Sequence, residues 1–344
     1  MDEYQKIKKH LTENKYTWLI TGIAGFIGSN LMETLLKLNQ KVIGLDNLST
    51  GYNENIDQVI NMFEKDFIKD NFKFFEGDVN NLDLCNQVCK NVDYVLHQAA
   101  LGSVPRSVAD PISTHDSNIN GFLNMLIASR DNEIKNFVYA SSSSIYGDHP
   151  DLPKTEEKIG NPLSPYAVTK LVNEIYAKNF FTTYKFNSIG LRYFNIFGPR
   201  QDPNGVYAAV IPKWISAMIN EEDLFINGDG KTTRDFCFIE NVMQANIISA
   251  VSSNSEALNQ VYNIAVDDRT SLLELHAMMS EIVESKIRNT AIKEPIFREF
   301  QDGDVRHSKG SVEKAQRLLN YKPSHTIDKG LEETIKWFID TNSC

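Results

Sequence analysis

The stretch Thr17-Trp-Leu-Ile-Thr-Gly-Ile-Ala-Gly-Phe-Ile-Gly-Ser-Asn30 decides the fold. Trp18 to Thr21 is short, apolar and β-prone, which predicts a buried strand. Gly22, Gly25 and Gly28 follow, and Phe26, Ile27, Leu31, Leu35 and Leu38 then recur at helical spacing. Strand, glycine turn and amphipathic helix in that order make a dinucleotide-binding βα unit. One glycine permits the tight turn, one lets the backbone approach a pyrophosphate, and one lets the helix pack close to the sheet. Free N–H groups at the helix start, at Phe26 and Ile27, are expected to meet the phosphates. The spacing here is G-x-x-G-x-x-G where the usual fingerprint is G-x-G-x-x-G, so the match is one of mechanism.

Lys41-Val-Ile-Gly-Leu-Asp46 reads as a second strand ending in a carboxylate, where an acid accepts hydrogen bonds from the adenosine ribose hydroxyls. An Asp repels the 2′-phosphate of NADP, and Asn47 rather than Arg comes next, so NAD is the expected cofactor.

The chain has 344 residues, enough for a large core and two domains or one domain with a lobe. Asp plus Glu number 45 against 35 Lys plus Arg, a net charge of -10, which argues against general affinity for nucleic acid or anionic membrane. No apolar run is long enough to span a bilayer, and residues 1–16 form a polar amphipathic helix without an apolar signal region, so a cytoplasmic protein is expected. Cys85, Cys89, Cys237 and Cys344 show no metal-binding spacing and are expected to be reduced thiols. The seven histidines are scattered, and no metal site is expected.

Further strands are predicted at Phe72–Phe75, Tyr94–Leu101 and Asn136–Ser141, with a helix over Asn118–Ser129. This alternation predicts an α/β fold, a doubly wound parallel Rossmann sheet. Asp78, in Glu76-Gly-Asp78-Val79, either meets the adenine amino group or completes a strand-end turn. Small side chains at Ala99 and Ala100 let the backbone pass close to the cofactor. The fifth strand runs into Ser141-Ser-Ser-Ser144-Ile-Tyr-Gly147, which puts hydroxyls at a carboxyl end of the sheet, where open α/β folds bind ligands. Tyr166 and Lys170 head a long helix as an i, i+4 pair. An ammonium beside the phenol, together with the positive charge of a nicotinamide, is expected to bring the phenol from about 10 toward neutrality. So tuned, Tyr166 takes a proton from a sugar hydroxyl.

Gly22-x-x-Gly25-x-x-Gly28, Asp46, Gly77-Asp78-Val79, the serines before Tyr146-Gly147, Tyr166-x-x-x-Lys170 and Leu191-Arg-Tyr-Phe-Asn195 together resemble the extended short-chain dehydrogenase/reductase family. Within it the chain resembles the nucleotide-sugar 4-epimerases over nearly its whole length. The resemblance implies an NAD-binding Rossmann domain, residues 1–196 with a returning segment at about 236–262, and a smaller mixed α/β domain, residues 197–344, for the UDP-sugar. It implies Ser142, Tyr166 and Lys170 as catalytic residues. Asp46, Asn47, Asp78, Val79, Ala99, Ala100, Asn118 and Tyr193 would line the cofactor site beside the glycine turn. Substrate contacts are expected from Gly102, Ser103, Ser142, Ser143, Tyr166, Asn195, Ala209, Val210, Phe225, Asn227, Arg234, Gln301, Asp304 and Ser308. Arg234 would hold the diphosphate, and Leu224–Gly230 resembles a uracil-binding segment. Gln301 stands where many relatives have an arginine, and Arg298 and Arg306 are the candidates to replace it. A homodimer through two helices per subunit is also implied.

Relatives that dehydrate or decarboxylate the sugar carry a carboxylate just after the catalytic Ser or Thr; Ser143 and Ser144 stand here. C4 epimerisation through a 4-keto sugar is what remains. The positions matching Ser308 and Gly102 are a tyrosine and often a lysine in relatives restricted to UDP-glucose and UDP-galactose. Both are small here, which makes room for an N-acetyl group. Ser103-Val-Pro-Arg-Ser107 and Gly303-Asp-Val-Arg-His-Ser308 resemble epimerases of UDP-N-acetylhexosamines (UDP-N-acetylglucosamine and UDP-N-acetylgalactosamine) and their uronic acids. The alternatives are a UDP-glucose/UDP-galactose 4-epimerase and a non-catalytic relative that binds NAD and nucleotide.

Overall fold

A computed structural model describes residues 2–205, 208–287, 292–300 and 306–342. Seven strands form one parallel sheet: β1 (Thr17–Thr21), β2 (Lys41–Asp46), β3 (Phe72–Glu76), β4 (Tyr94–His97), β5 (Asn136–Ser142), β6 (Ser188–Tyr193) and β7 (Val261–Ile264). Their order is β7-β6-β5-β4-β1-β2-β3. After β3 the chain crosses back past β1 to build the other half of the sheet outward from β4. The carboxyl ends of β1 and β4 therefore diverge at a topological switch point, where such sheets bind ligands.

The principal helices are α1 (Glu3–Glu13), α2 (Phe26–Lys37), α3 (Pro165–Tyr184), α4 (Val210–Ile219), α5 (Ile239–Val251), α6 (Leu272–Lys286) and α7 (Ile327–Asn342). Both faces of the sheet are buried, as βαβ connections require. Leu19, Val95, Phe137 and Tyr139 face one core with Phe122 and Phe180. Trp18, Ile20, Leu96, Val138 and Ile189 face the other, which continues through Phe238 into Trp214, Ile335 and Phe338 of the carboxy-terminal helices. The alternation along β1 is the period-2 rule of a strand.

The chain returns to the sheet late. Cys237–Phe238 pairs parallel with Ile196–Phe197, α5 runs almost wholly buried, and β7 adds beside β6. The remaining carboxy-terminal strands are short ribbons. Phe225–Asn227 pairs parallel with Ile296–Arg298, and Thr233–Arg234 pairs antiparallel with Thr270–Ser271. At the other end of the chain, Asp2 caps α1 by accepting from Gln5 N at 2.8 Å, and Tyr4 and Leu11 are buried. Gln40 latches α1 to the sheet: its amide nitrogen donates to Leu11 O at 2.6 Å and its oxygen accepts from the Trp18 indole at 3.1 Å.

Three boundaries differ from expectation. β4 stops at His97 rather than Leu101, because from Gln98 the chain turns out of the sheet to wall a cleft. β5 takes in Ser142 before a 3₁₀ turn over Ser143–Tyr146. The helix predicted from Asn118 begins with a π-helical turn, Asp116–Asn120, and continues as an α-helix over Gly121–Asp131. Cys85, Cys89 and Cys237 are free buried thiols, and burial pushes the first two up to about 12; Cys344 lies outside the described residues. No helix among the described residues is long and apolar enough to cross a membrane.

Candidate active site

The glycine turn is shaped by backbone contacts. Gly22 has φ +69°, its N–H donates to Leu45 O at 2.8 Å, and a Cβ on it would lie 2.8 Å from Ala99 N. A Cβ on Gly28 would collide with Gly22 O and lie 2.7 Å from Ile23 Cα. Gly25 caps α2 without a side chain, so no side chain covers the first-turn N–H groups. Asp46 is buried beside them. Its two oxygens accept from Ala24 N and Leu48 N, each at 2.9 Å. Burial pushes this carboxyl up and the backbone donors draw it back, and each oxygen retains capacity to accept a further hydrogen bond. A side-chain-free turn, an uncapped helix start and a buried acid are the donor and acceptor set a dinucleotide needs, so the residues present fit NAD.

A cleft of about 540 Å³ opens here. The glycines, Phe26, Ile27, Asp46, Asn47, Val79, Ala99, Ala100 and Tyr193 line it. So do Tyr166, Lys170, Ser142, Gly102, Ser103, Asn195 and Ala209.

Three expected residues stand elsewhere. Asp78 accepts from the Asn47 amide at 2.7 Å and from Asn80 N at 2.8 Å, and Asn47, Gly77 and Val79 around it line the cleft. Asn118 lies behind the wall. Its oxygen accepts from Leu101 N at 2.7 Å, while its amide nitrogen donates to Leu101 O and to the Thr169 hydroxyl, both at 3.1 Å. A π-helical turn re-aims this side chain, and hydrophobic periodicity gives no sign of it. Ser143 sits in the 3₁₀ turn outside the lining.

Catalytic candidates meet where β5 ends and α3 begins. Ser164 caps α3, accepting from Ala167 N at 3.2 Å, and Pro165 occupies the first helical position, which puts Tyr166 in the first turn. Ser142 Oγ accepts from Ser144 N at 3.1 Å and from the Ser144 hydroxyl at 2.9 Å. Its own proton remains available, and the neighbouring Tyr166 phenol is drawn down by the Ser142 hydroxyl. Lys170 Nζ donates to Ala140 O at 2.8 Å and lies 5.9 Å from the Tyr166 ring centre.

The electrostatics correct the expectation. Burial pushes the Tyr166 phenol up and the Ser142 hydrogen bond draws it back only in part. Burial also pushes Lys170 down to about 8. In the protein alone burial outweighs the Ser142 hydroxyl at the phenol, and the positive charge of a bound nicotinamide would act in the opposite sense. His97, forced down to about 3 by burial and by Lys170, is neutral. It bonds to the Thr21 hydroxyl at 2.8 Å, and that hydroxyl accepts from Ala99 N at 3.2 Å.

Sequence reasoning missed Gln98 and Gln201. Gln98 accepts from the Tyr193 hydroxyl and donates to Asn246, each at 3.1 Å, and Asn246 donates to the Tyr193 hydroxyl at 2.9 Å. This closed ring joins β4, β6 and α5. Gln201 donates to Ile196 O at 3.2 Å and keeps a buried amide oxygen with no partner among the described residues at the cleft wall. Its place just after Gly198-Pro199-Arg200 was the available signal.

Of the remaining substrate candidates, Asn195 lines the cleft, Val210 opens α4, and the others described lie on the short ribbons. Arg234 donates to Thr233 O at 3.0 Å and Arg306 O at 3.3 Å, and Ser308 N donates to Thr233 O at 3.1 Å, so Arg234 and Ser308 are close neighbours. Asn195 donates to Asp235 O at 3.2 Å. Val210 opens α4 directly after the lining residue Ala209. Phe225 and Asn227 share the ribbon with Arg298, whose guanidinium lies 3.3 Å from the Phe225 ring centre. Arg306 is paired with Asp229 at 2.6 Å. Gln301 and Asp304 lie outside the described residues.

Residues 18–265 match the model of the NAD dependent epimerase/dehydratase family. The chain is similar, at 37% identity and a TM-score of 0.85, to the UDP-N-acetylglucosamine 4-epimerase of Methanobrevibacter ruminantium M1 in complex with UDP-N-acetylmuramic acid, over 95% of this chain and 99% of that one. It is 32% identical over 322 residues to a UDP-glucose 4-epimerase of Mycolicibacterium smegmatis, covering 93% of this chain and 97% of the relative. A UDP-glucuronate 4-epimerase of Thermodesulfobacterium geofontis is 32% identical over 323 residues, covering 93% and 95%.

Proposed function

The chain belongs to the NAD-dependent epimerase/dehydratase family, and on that premise we infer that this NAD-dependent UDP-sugar 4-epimerase acts on UDP-N-acetylhexosamines or their uronic acids. The meeting of Ser142, Tyr166 and Lys170 in one cleft with the glycine turn carries the chemistry. Bound NAD supplies the acceptor that oxidises C4 and later restores it. Tyr166 takes the C4 hydroxyl proton and gives it back, Ser142 bridges the phenol and the C4 oxygen, and Lys170 stabilises the phenolate. Neither Ser143 nor Ser144 brings a carboxylate to the sugar, which favours plain epimerisation over elimination. Arg234 is assigned to the diphosphate, and Phe225 with Asn227 to the base, within residues 197–344.

Space around C2 supports the N-acetylated substrate. A Cβ built on Gly102 meets no atom of the described residues within 4 Å, and Ser308 presents only a hydroxymethyl group beside the Arg234 ribbon. Similarity to a UDP-glucose 4-epimerase favours the second reading, UDP-glucose and UDP-galactose. Comparing kcat/KM for UDP-N-acetylglucosamine, its uronic acid and UDP-glucose separates them. An N-acetylated sugar is expected to lead by about tenfold or more; UDP-glucose in the lead would favour the second reading.

A homodimer is proposed on the face where helices Val104–Ala109 and Pro111–His115 pack on α3, leaving Val108, Ile112, Val168 and Ile175 exposed. The proposed compartment is the cytoplasm, in keeping with three buried thiols that form no disulfide.

A further inference from the structure

Tyr166, Lys170 and Glu174 succeed one another at four-residue spacing along the face of α3 that meets β5. Two of them are anchored at the end of that strand, Lys170 to Ala140 O at 2.8 Å and Glu174 to the Ser141 hydroxyl at 2.6 Å, and the Tyr166 phenol neighbours the Ser142 hydroxyl. Tyr166 and Lys170 belong to the chemistry. Glu174 is not part of the cleft wall, yet its carboxylate is buried in a bidentate pair with Arg192 of β6, at 2.9 Å from Nε and 2.7 Å from Nη2. Arg192 uses Nη1 to donate to the Tyr146 hydroxyl at 3.0 Å and to Glu156 O at 3.1 Å. The Tyr146 hydroxyl in turn donates to Asn263 of β7 at 2.6 Å. One ion pair thus grips the serine run at both ends, at Ser141 before it and at Tyr146 after it.

A buried ion pair is on balance no more stabilising than well-packed apolar side chains of the same volume. What it adds is direction. Two parallel N–H···O bonds fix the carboxylate plane, and the Ser141 hydroxyl bonds to that plane at one angle and distance. Leucine and methionine at these positions would fill the space between α3 and β5 and leave the strand end free to shift. Ser142 is the next residue along, and its alignment with a phenol on a different element is what such a shift would spoil.

We propose that Glu174, acting through Ser141 and Arg192, is a positioning residue that sets the Ser142 hydroxyl against the Tyr166 phenol; this rests on the assignment of that pair as the site of C4 chemistry. Ser141→Ala tests it, because the substitution removes one hydrogen bond and leaves the ion pair and the fold in place. The expected result is a kcat lowered about tenfold or more with KM held within about twofold, since misalignment acts on the chemical step. Bound NAD should be unchanged. Ser141→Thr keeps the hydroxyl and should recover kcat to within about threefold of the starting enzyme, and Tyr146→Phe, which cuts the other grip, should lower kcat in the same sense. A Ser141→Ala enzyme with a lower melting temperature but an undiminished kcat would overturn the inference, as would equal losses in the Ala and Thr variants. Should the unmodified protein fail to turn over any UDP-sugar, the underlying assignment falls instead.

Discussion

The two walls of the cleft are built differently. On the cofactor side, Gly22, Gly25, Gly28 and Asp46 lie within 25 residues of one another and act through backbone geometry and one buried acid. On the side proposed for the sugar, Ser142, Tyr166 and Asn195 come from separated segments, and the ribbons beyond, with Arg234, pair residue 225 with 296 and residue 233 with 271 and 307. A wall made locally is constrained mainly by shape. A wall assembled from distant pieces depends on what orients each side chain, and substrate choice has more freedom to vary there.

The largest test of that contrast is Tyr166→Phe. It removes the proton acceptor and little volume, so turnover should fall by ~10²- to 10⁴-fold, while NAD stays bound on the other wall. Activity within about threefold of the unmodified enzyme would break the assignment, with retained NAD checked by acid extraction and chromatography.

Legibility follows the same line. The glycine turn, Asp46 and the strands around them were readable because period-2 burial, turn chemistry and a strand-end acid are local signals. Tyr166 and Lys170 were readable because an i, i+4 pair needs only the helix. The hydrogen bonds that hold Asp78, Asn118 and Gln98 were not, since they depend on partners at Asn47, Leu101 and Asn246 that only the fold brings near. The rise of the Tyr166 phenol was missed for a related reason: burial is a property of the packed site, and the sequence shows only the charge nearby.

Gly28→Ala set beside Gly102→Ala sharpens the comparison on the cofactor wall. A Cβ on Gly28 runs into backbone, which cannot yield cheaply, so bound NAD should be lost and stability should fall by ~1–3 kcal/mol or more. A Cβ on Gly102 meets open space and should leave both unchanged. Equal effects, measured by cofactor content and thermal unfolding, would show that the turn is not held as tightly as its geometry implies.

On the sugar wall, Ser308→Tyr should cut kcat/KM for UDP-N-acetylglucosamine more than for UDP-glucose. Overpacking costs ~1–3 kcal/mol, roughly tenfold to a hundredfold in rate. The ratio of the two values cancels any general loss of folded enzyme. An unchanged ratio would restore UDP-glucose to equal standing.

Lys170→Met opposes stability to function. Burial holds the folded Lys170 at about 8 against an ordinary 10.5, so the unfolded chain binds more protons between those values. Its burial therefore costs stability fully below pH 8, and the cost fades as pH rises toward 10.5. In protein stripped of cofactor, Lys170→Met should raise the melting temperature at pH 7 by several degrees, from ~3 kcal/mol of relieved burial. That advantage should shrink above pH 8, and turnover should be lost. A lower melting temperature at every pH would show that the hydrogen bond to Ala140 O outweighs burial of the charge.

The redox balance of a single incubation bears most directly on the assigned chemistry. Purified enzyme, given UDP-N-acetylglucosamine and no added cofactor, is followed by NMR at the C4 position and by absorbance at 340 nm. The account predicts that the two C4 epimers approach equilibrium over many turnovers while the absorbance holds a constant, sub-stoichiometric level. No epimer from this sugar, its uronic acid or UDP-glucose, or continuous reduction of NAD when it is then supplied, would contradict it.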